Sequence, residues 1–90
     1  MKILKFYADW CNPCKRETEL LEDLKTVPVV SLNIDESENQ DLVEKYSVKS
    51  LPTLVLLKDE EVLKTWVGIT TPNVINNFIK KHGSDSANQE

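Results

Sequence analysis

The sequence is poor in the residues on which several classes of protein depend. Its 90 residues include two cysteines, two glycines and one histidine. A disulfide-stapled secreted domain spreads more cysteines along its length, and the sequence contains no glycine-rich phosphate-binding loop. The formal net charge is -4 and no polybasic segment stands out, which argues against nucleic acid as a partner, because binding to phosphates favours a basic face. No apolar run approaches the length of a membrane span. We therefore expect no nucleic-acid, nucleotide or membrane partner.

Length and composition suit one small domain with a modest core. Residues 1–7 contain no small-residue cleavage site, so we interpret them as a strand and not as a signal peptide. From Gly83 onward the chain has one alanine and no larger apolar side chain, which is typical of disordered segments. We expect residues 1–82 to form the domain, residues 83–90 to form a disordered tail, and the protein to be a cytoplasmic monomer.

Hydrophobic patterning predicts the element order β-α-β-α-β-β-α. The predicted strands cover residues 2–8, 28–34, 53–57 and 62–67, and the predicted helices cover residues 13–25, 37–47 and 72–82. The first two strands flank a helix and should be parallel through a right-handed crossover, whereas the last two form an antiparallel hairpin. We therefore predict an α/β fold with a four-stranded mixed sheet, in the order 2-1-3-4, and helices on both faces.

The first predicted helix is amphipathic. Leu20, Leu21 and Leu24 recur with Cys14 at helical spacing and form its predicted inner face. The acidic side chains of this segment are predicted to be solvated, and they are Glu17, Glu19, Glu22 and Asp23.

The two cysteines lie three positions apart, directly after the first strand and at the start of the first helix. Disulfide exchange requires a thiolate that the substrate can reach. Free N–H groups and the helix dipole favour an anion at Cys11, and Cys14 lies one turn inside on nearly the same face. We therefore predict that Cys11 attacks a substrate disulfide and that Cys14 resolves the mixed disulfide. Pro13 stiffens the loop, and Trp10 shields its flank.

A structural bridge and a metal site are the alternatives to a redox role for this pair. A bridge that closes so short a loop restricts the unfolded chain very little. A structural zinc ion needs four ligands, and the chain offers two thiols and His82. We therefore predict no metal site, and a zinc half-site shared between two chains is the alternative that stays open.

Residues 6–15, FYADWCNPCK, resemble the active-site signature of the thioredoxin family, with Asn12 in place of its glycine. Three further segments resemble parts of that family, and they occur in the same order along the chain. Residues 32–35 (LNID) resemble its second parallel strand, residues 50–54 (SLPTL) resemble its cis-proline loop, and residues 67–68 (VG) resemble the segment with the glycine of its substrate groove. The resemblance extends from Phe6 to about Lys80. It implies a thioredoxin-like fold and a thiol–disulfide oxidoreductase.

The resemblance also implies which residues bind substrate. Pro52 is expected to be cis and to lie against the cysteine pair, and Leu51 is expected to offer its backbone to an extended substrate segment, as in strand addition. Gly68 and Ile69 are expected to line the same groove. The active-site loop that the resemblance implies consists of Trp10, Asn12 and Pro13.

The sequence departs from the family pattern in three places. It begins where the family's active-site strand begins, and is expected to form the minimal core that glutaredoxins have. Lys5 and Ser31 stand where the family has a buried aspartate and a lysine, and Glu19 replaces a proline that kinks the first helix. One hypothesis is that the Lys5 ammonium reaches water while its methylenes cover the core. The other makes Lys5 a modulator of the cysteine pKa that favours the thiolate.

The function that the resemblance implies is general protein disulfide reduction. The chain is expected to bind no cofactor and to receive electrons from NADPH through a separate flavoprotein of the thioredoxin reductase kind. Its expected substrates are proteins that contain disulfides. Two alternatives stay open: a glutaredoxin-like enzyme that works with glutathione, and a module that docks a partner irrespective of redox state.

Overall fold

A computed structural model of the protein describes residues 1–83. Its elements are β1 (Lys2–Tyr7), α1 (Asn12–Leu21), β2 (Val29–Asn33), α2 (Gln40–Lys45), β3 (Thr53–Lys58), β4 (Glu61–Val67) and α3 (Pro72–Phe78). A 3-10 turn precedes α2, and a π-helical turn continues α3. The predicted element order is confirmed. The predicted tail lies outside the described residues except for Gly83, and within them no helix is long and apolar enough to cross a membrane.

The four strands form one mixed sheet in the order β2-β1-β3-β4, as predicted. β1 and β2 are parallel, with Ile3 opposite Val29 and Tyr7 opposite Asn33. β3 is antiparallel to both β1 and β4. Because β1 is paired on both sides, its carboxyl end lies in the middle of the sheet. The chain runs from that end directly to the Cys11–Cys14 pair.

Helices cover both faces of the sheet because side chains alternate along each strand. On one face, Ile3 of β1 packs in a cluster with Leu21 of α1 and Ile75 of α3. On the other face, Phe6 packs in a cluster with Val43 of α2. A fully buried aliphatic or aromatic side chain stabilises the fold by about 1.5–3 kcal/mol relative to an exposed one. These two layers therefore hold β1, and the loop that follows it, in place.

Helix α1 is shorter than predicted, and its inner face is different. It ends at Leu21 and not near residue 25. The Leu24 amide donates to the Leu21 carbonyl in a turn, and Leu24 enters the core from this turn instead of from the helix. Leu20 is 40% exposed, whereas Glu17 has no exposed surface. The prediction that Leu20 is buried and Glu17 is solvated is therefore wrong.

Candidate active site

The cysteine pair is joined as a disulfide at the start of α1. Cys11 is the N-cap residue, with extended backbone angles, and its Sγ accepts a hydrogen bond of 3.2 Å from the Cys14 amide. Pro13 lies in the first turn, where its missing N–H group leaves no hydrogen bond unmade. The two Cα atoms are 5.3 Å apart, and both side chains are buried. The Cys14 amide therefore faces the sulfur of Cys11, where it and the start of the helix favour negative charge.

A groove with a volume of about 480 Å³ opens beside Cys11. It is lined by residues 10–13, by Ile34 after β2, by Val43 of α2 and by residues 48–51. Leu51 also packs against the cluster that contains both cysteines. A substrate segment in this groove would therefore contact Cys11 and its loop together.

The Leu51–Pro52 peptide bond is cis, as the resemblance implies. The Pro52 carbonyl accepts a hydrogen bond of 2.9 Å from the Gly68 amide, so Gly68 lies beside the proline. Gly68 has a φ of 93°, a left-handed conformation that favours glycine. Of the four residues expected in the substrate groove, Leu51 lines the 480 Å³ groove. Pro52, Gly68 and the exposed Ile69 lie outside its lining.

Trp10 is held at the edge of the groove by a residue that sequence reasoning did not select. Its side chain is 66% exposed, and its Nε1 donates a hydrogen bond of 3.0 Å to Oδ2 of Asp35. The Asp35 amide in turn donates to Oδ1 of Asn33, at 2.9 Å. The indole is therefore positioned from the end of β2 and not from its own loop alone.

Lys5 lies on the inner side of the cysteine pair. It is 5% exposed, and its Nζ donates a hydrogen bond to Oγ1 of Thr18. That hydroxyl donates a bond of 3.0 Å to the Cys14 carbonyl. Burial lowers the pKa of Lys5, and the charge of Glu17 partly offsets this. The hypothesis that the ammonium reaches water is therefore wrong, because it is bonded to α1 inside the protein.

Glu17 is the residue of this site that the sequence interpretation misplaced. It is fully buried, and its Oε2 accepts a hydrogen bond of 2.9 Å from the Thr70 amide. Within residues 1–83, its Oε1 is buried without a hydrogen-bond partner. Burial raises the pKa of Glu17, and the Thr70 hydrogen bond and the charge of Lys5 partly offset this. Cys14, Glu17 and Leu21 follow the helical period, and that spacing was the signal for its burial.

A second cavity, of about 320 Å³, borders Cys14 on this inner side. Charged and polar side chains line part of it, among them Asp9, Lys15, Thr18 and Glu19. Within residues 1–83, no group of three or more histidine, cysteine or acidic side chains is placed to hold a metal ion. The chemistry of the site is therefore that of two sulfurs between an outer groove and a buried charged cluster.

Comparisons with known proteins agree with this geometry. The family model described as Thioredoxin matches residues 1–81. Thioredoxin from Bacillus subtilis (strain 168) is 39% identical over 85 residues, which cover 89% of this chain and 80% of that protein. Thioredoxin from Chlamydia pneumoniae is 38% identical over 84 residues, with the same two coverages.

The solved structure of thioredoxin 1 from the thermophilic eubacterium Thermosipho africanus TCF52B has a TM-score of 0.80 to this chain. The match covers 97% of this chain and 99% of that one, at 21% identity, and shows the likeness of the fold. The cysteine pair occupies the position that the family signature gives it. The chain therefore belongs to the thioredoxin family and is a thioredoxin-type thiol–disulfide oxidoreductase.

Proposed function

We propose that the protein is a general protein disulfide reductase in which Cys11 is the nucleophile and Cys14 is the resolving residue. The observation that carries this proposal is the asymmetry of the pair. Cys11 caps α1 and lines the outer groove, whereas Cys14 lies one turn inside the helix and does not line that groove. An incoming disulfide therefore meets Cys11 first, and the helix start favours its thiolate.

The reaction consists of two exchanges. The Cys11 thiolate attacks one sulfur of the substrate disulfide, forms a mixed disulfide and releases the first substrate thiolate. Cys14 then attacks Sγ of Cys11, the Cys11–Cys14 bond forms, and the second substrate thiolate leaves. Two electrons pass from the cysteine pair to the substrate, so the pair must be reduced again before the next turnover.

The lining of the groove favours an extended protein segment as the substrate. Leu51 borders both the groove and the cysteine cluster, and the exposed indole of Trp10 stands at the groove's edge. Peptide binding of this kind combines backbone hydrogen bonds with apolar pockets for side chains. We assign substrate contact inside the groove to Leu51, and contact with the part of the segment that extends beyond it to Gly68 and Ile69. The buried cis Pro52 positions Leu51 and Gly68, and Trp10, Asn12 and Pro13 shape the active-site loop.

The electrons come, in this proposal, from NADPH through a separate flavoprotein of the thioredoxin reductase kind, and this chain binds no cofactor of its own. The family membership supports such a partner. We propose a cytoplasmic monomer, with reducible proteins as partners and no nucleic acid or membrane among them. The net charge of -4 supports the absence of a nucleic-acid partner.

Insulin reduction tests the proposal. The protein should accelerate precipitation of the insulin B chain with dithiothreitol as donor, and should also do so with NADPH and a bacterial thioredoxin reductase. Cys11→Ser should be inactive in both assays. If wild-type protein does not accelerate insulin reduction with dithiothreitol, the assignment as a general reductase is wrong.

The same assays separate the alternatives. Activity with glutathione and glutathione reductase, without activity with thioredoxin reductase, would identify the glutaredoxin-like enzyme. The exposed Trp10 and the groove also suit a redox-independent docking module. A double variant, Cys11→Ser with Cys14→Ser, would keep such docking but lose all reductase activity.

A further inference from the structure

A buried carboxylate shares a helix face with the resolving cysteine. Cys14 and Glu17 are three residues apart on α1, a separation that places side chains one above the other. Cys14 is 1% exposed and Glu17 is not exposed at all. Neither side chain is therefore turned toward the solvent that surrounds the rest of the helix.

The buried Oε1 atom of Glu17 lacks a partner in the disulfide form of residues 1–83. A buried polar atom without a partner costs free energy in the state that leaves it unpaired, and in native proteins such atoms are rare enough to call for an explanation, which a catalytic role can supply. Cys14 carries no proton while it is in the disulfide. Reduction creates an S–H donor at Cys14, on the helix face where Glu17 lies.

We propose that Glu17 accepts the proton of Cys14 when the mixed disulfide is resolved. In this proposal Lys5 is a positioning residue, whose positive charge favours the unprotonated form of the Glu17 carboxylate. The inference rests on the proposed function, because it assigns the proton of that reaction's second exchange. General bases in enzymes are positioned carboxylates or imidazoles within reach of the proton that they remove. No other buried carboxylate lies within residues 1–83.

Burial raises the pKa of Glu17, and groups on neighbouring elements partly offset this shift. Lys5 of β1 acts on it electrostatically, and the Thr70 amide, in the segment before α3, donates to its Oε2. Lys5 also reaches Cys14 through Thr18, whose hydroxyl donates to the Cys14 carbonyl. The exposed charges that border Cys14 in the second cavity belong to Asp9, Lys15 and Glu19. Glu17 is thus linked to β1 and to the segment that follows Gly68.

In the resolving step, the proton of Cys14 passes to the Glu17 carboxylate, and the Cys14 thiolate attacks Sγ of Cys11. The sulfur–sulfur bond between Cys11 and the substrate breaks, and its electron pair leaves with the substrate thiolate. When a reductase later reduces the Cys11–Cys14 bond, Cys14 leaves as a thiolate and takes the proton back from Glu17. The raised pKa of Glu17 in the disulfide form agrees with a carboxyl that holds this proton.

Single-turnover kinetics of Glu17→Gln test the assignment. The amide is nearly isosteric and can still accept the Thr70 hydrogen bond, but it cannot take a proton. We expect resolution of the mixed disulfide, measured as release of the second thiol, to slow by roughly 100-fold at pH 7, the low end of the range for proton transfer. The difference should shrink above a pH of about 8.5, where a free thiol ionises without a base. Alkylation of Cys11, which reports the first exchange, should be unchanged.

Glu19→Gln is the matched control, because Glu19 lies on the same helix, borders the cavity beside Cys14 and is exposed. It should resolve the mixed disulfide at the wild-type rate. If Glu17→Gln is as fast as wild type across the pH range, or if Glu19→Gln causes the loss, the inference is wrong. The proposed function would stand in both cases, since it fails only if wild-type protein does not reduce insulin.

Titration of the wild-type protein tests the inference without a substitution in α1. Carbon NMR of labelled glutamate should show Glu17 titrating at higher pH in the disulfide form than in the dithiol form, where the Cys14 thiol donates to the carboxylate. Lys5→Met should move the titration of Glu17 and the pH profile of resolution to higher pH, as expected of a positioning residue. The same titration in both redox forms would overturn the inference.

Discussion

The two sides of the Cys11–Cys14 disulfide are built in different ways. On the outer side, the groove is lined by loops and by residues of α1 and α2, its side chains are mostly apolar, and an exposed indole lies at its edge. On the inner side, Lys5 and Glu17 are buried between β1, α1 and the segment before α3. The outer side therefore suits the recognition of varied substrates, and the inner side suits the control of charge and protons. One helix turn separates the two functions.

Burial of the two charged residues on the inner side lowers the stability of the fold. Removing a charged group from water carries a penalty of several kcal/mol, which neighbouring charges and hydrogen bonds offset only in part. Desolvation is the largest influence on the pKa of both Lys5 and Glu17. Trp10, by contrast, leaves most of its ring in solvent. Substitutions on the outer side should therefore change substrate binding, and those on the inner side should change pH dependence and redox properties.

We expect the largest effects on activity from substitution of the two cysteines, and we expect the two variants to behave differently. Cys11→Ser removes the nucleophile and should abolish turnover of insulin. Cys14→Ser leaves the nucleophile but removes the resolving thiol, so it should stop turnover after one exchange and accumulate mixed disulfides. Mass spectrometry of the protein after incubation with a disulfide substrate checks this. A fully active Cys14→Ser protein that traps nothing would contradict the division of roles.

The next effect tests the outer side alone. Trp10→Ala should raise KM for insulin by roughly tenfold, because aromatic side chains at interfaces often carry more than 1 kcal/mol of binding free energy. The reaction with a small aromatic disulfide, which does not need the groove, should keep its rate. Val62→Ala is the control, since Val62 is exposed on β4 at the opposite end of the sheet. Equal KM values for the two variants would show that the indole does not contact substrate.

The two sides also differ in how far the sequence predicts them. The outer side follows from local signals: a strand that ends before Cys11, Pro13 in the first turn of a helix, and a cis-proline loop that resembles a family motif. Strand order follows from one crossover and one hairpin. The strand order and the start of the helix depend on residues that are close together in the chain, so composition and spacing are sufficient for them, whereas the cis proline is implied by the family resemblance alone.

The inner side depends on contacts between distant segments. The Thr70 amide, 53 residues away along the chain, donates to the buried carboxylate of Glu17 and offsets part of the cost of its burial. Thr18 of α1, 13 residues away, accepts a hydrogen bond from the buried Lys5. Charged residues on a helix are usually solvated. The prediction for Glu17 follows this general rule, although the helical spacing of Cys14, Glu17 and Leu21 indicates that Glu17 lies on the buried face. The two predictions that the structure corrects here, for Lys5 and for Glu17, therefore fail for the same physical reason.

A smaller effect appears in the pH dependence of stability. The pKa of Glu17 is raised above its ordinary value of 4.5 by burial, so the folded state binds this proton more tightly than the unfolded state. The free energy of unfolding should therefore fall as the pH rises from 4.5 through the raised value, with a slope of at most about 1.4 kcal/mol per pH unit. Glu17→Gln should lose this part of the slope, and Glu19→Gln should keep it. Urea unfolding of the oxidised proteins between pH 4 and pH 7 measures the difference, and identical slopes for wild type and Glu17→Gln would contradict it.

The smallest expected effect concerns the redox contribution of Lys5. Lys5→Met keeps much of the stem and removes a buried charge that is linked through Thr18 to the Cys14 carbonyl. A nearby positive charge favours a thiolate and thus the reduced form. Its loss should make the disulfide more stable, the reduction potential more negative, and the pH at which the nucleophile is alkylated higher. A tenfold change in the exchange equilibrium corresponds to about 30 mV for this two-electron couple, and we expect a shift below that size.

Lys2→Met is the control for Lys5→Met, because it removes the same charge from an exposed position on the same strand. It changes the net charge of the protein equally but leaves the inner side intact. Any shift in the reduction potential of this variant is therefore due to long-range electrostatics. Equilibration of each protein in glutathione buffers gives the potential. If the two variants shift it equally, the buried position of Lys5 has no redox consequence of its own. The inner side would then act on the cysteines through Glu17 and its proton, and not through the field of the ammonium.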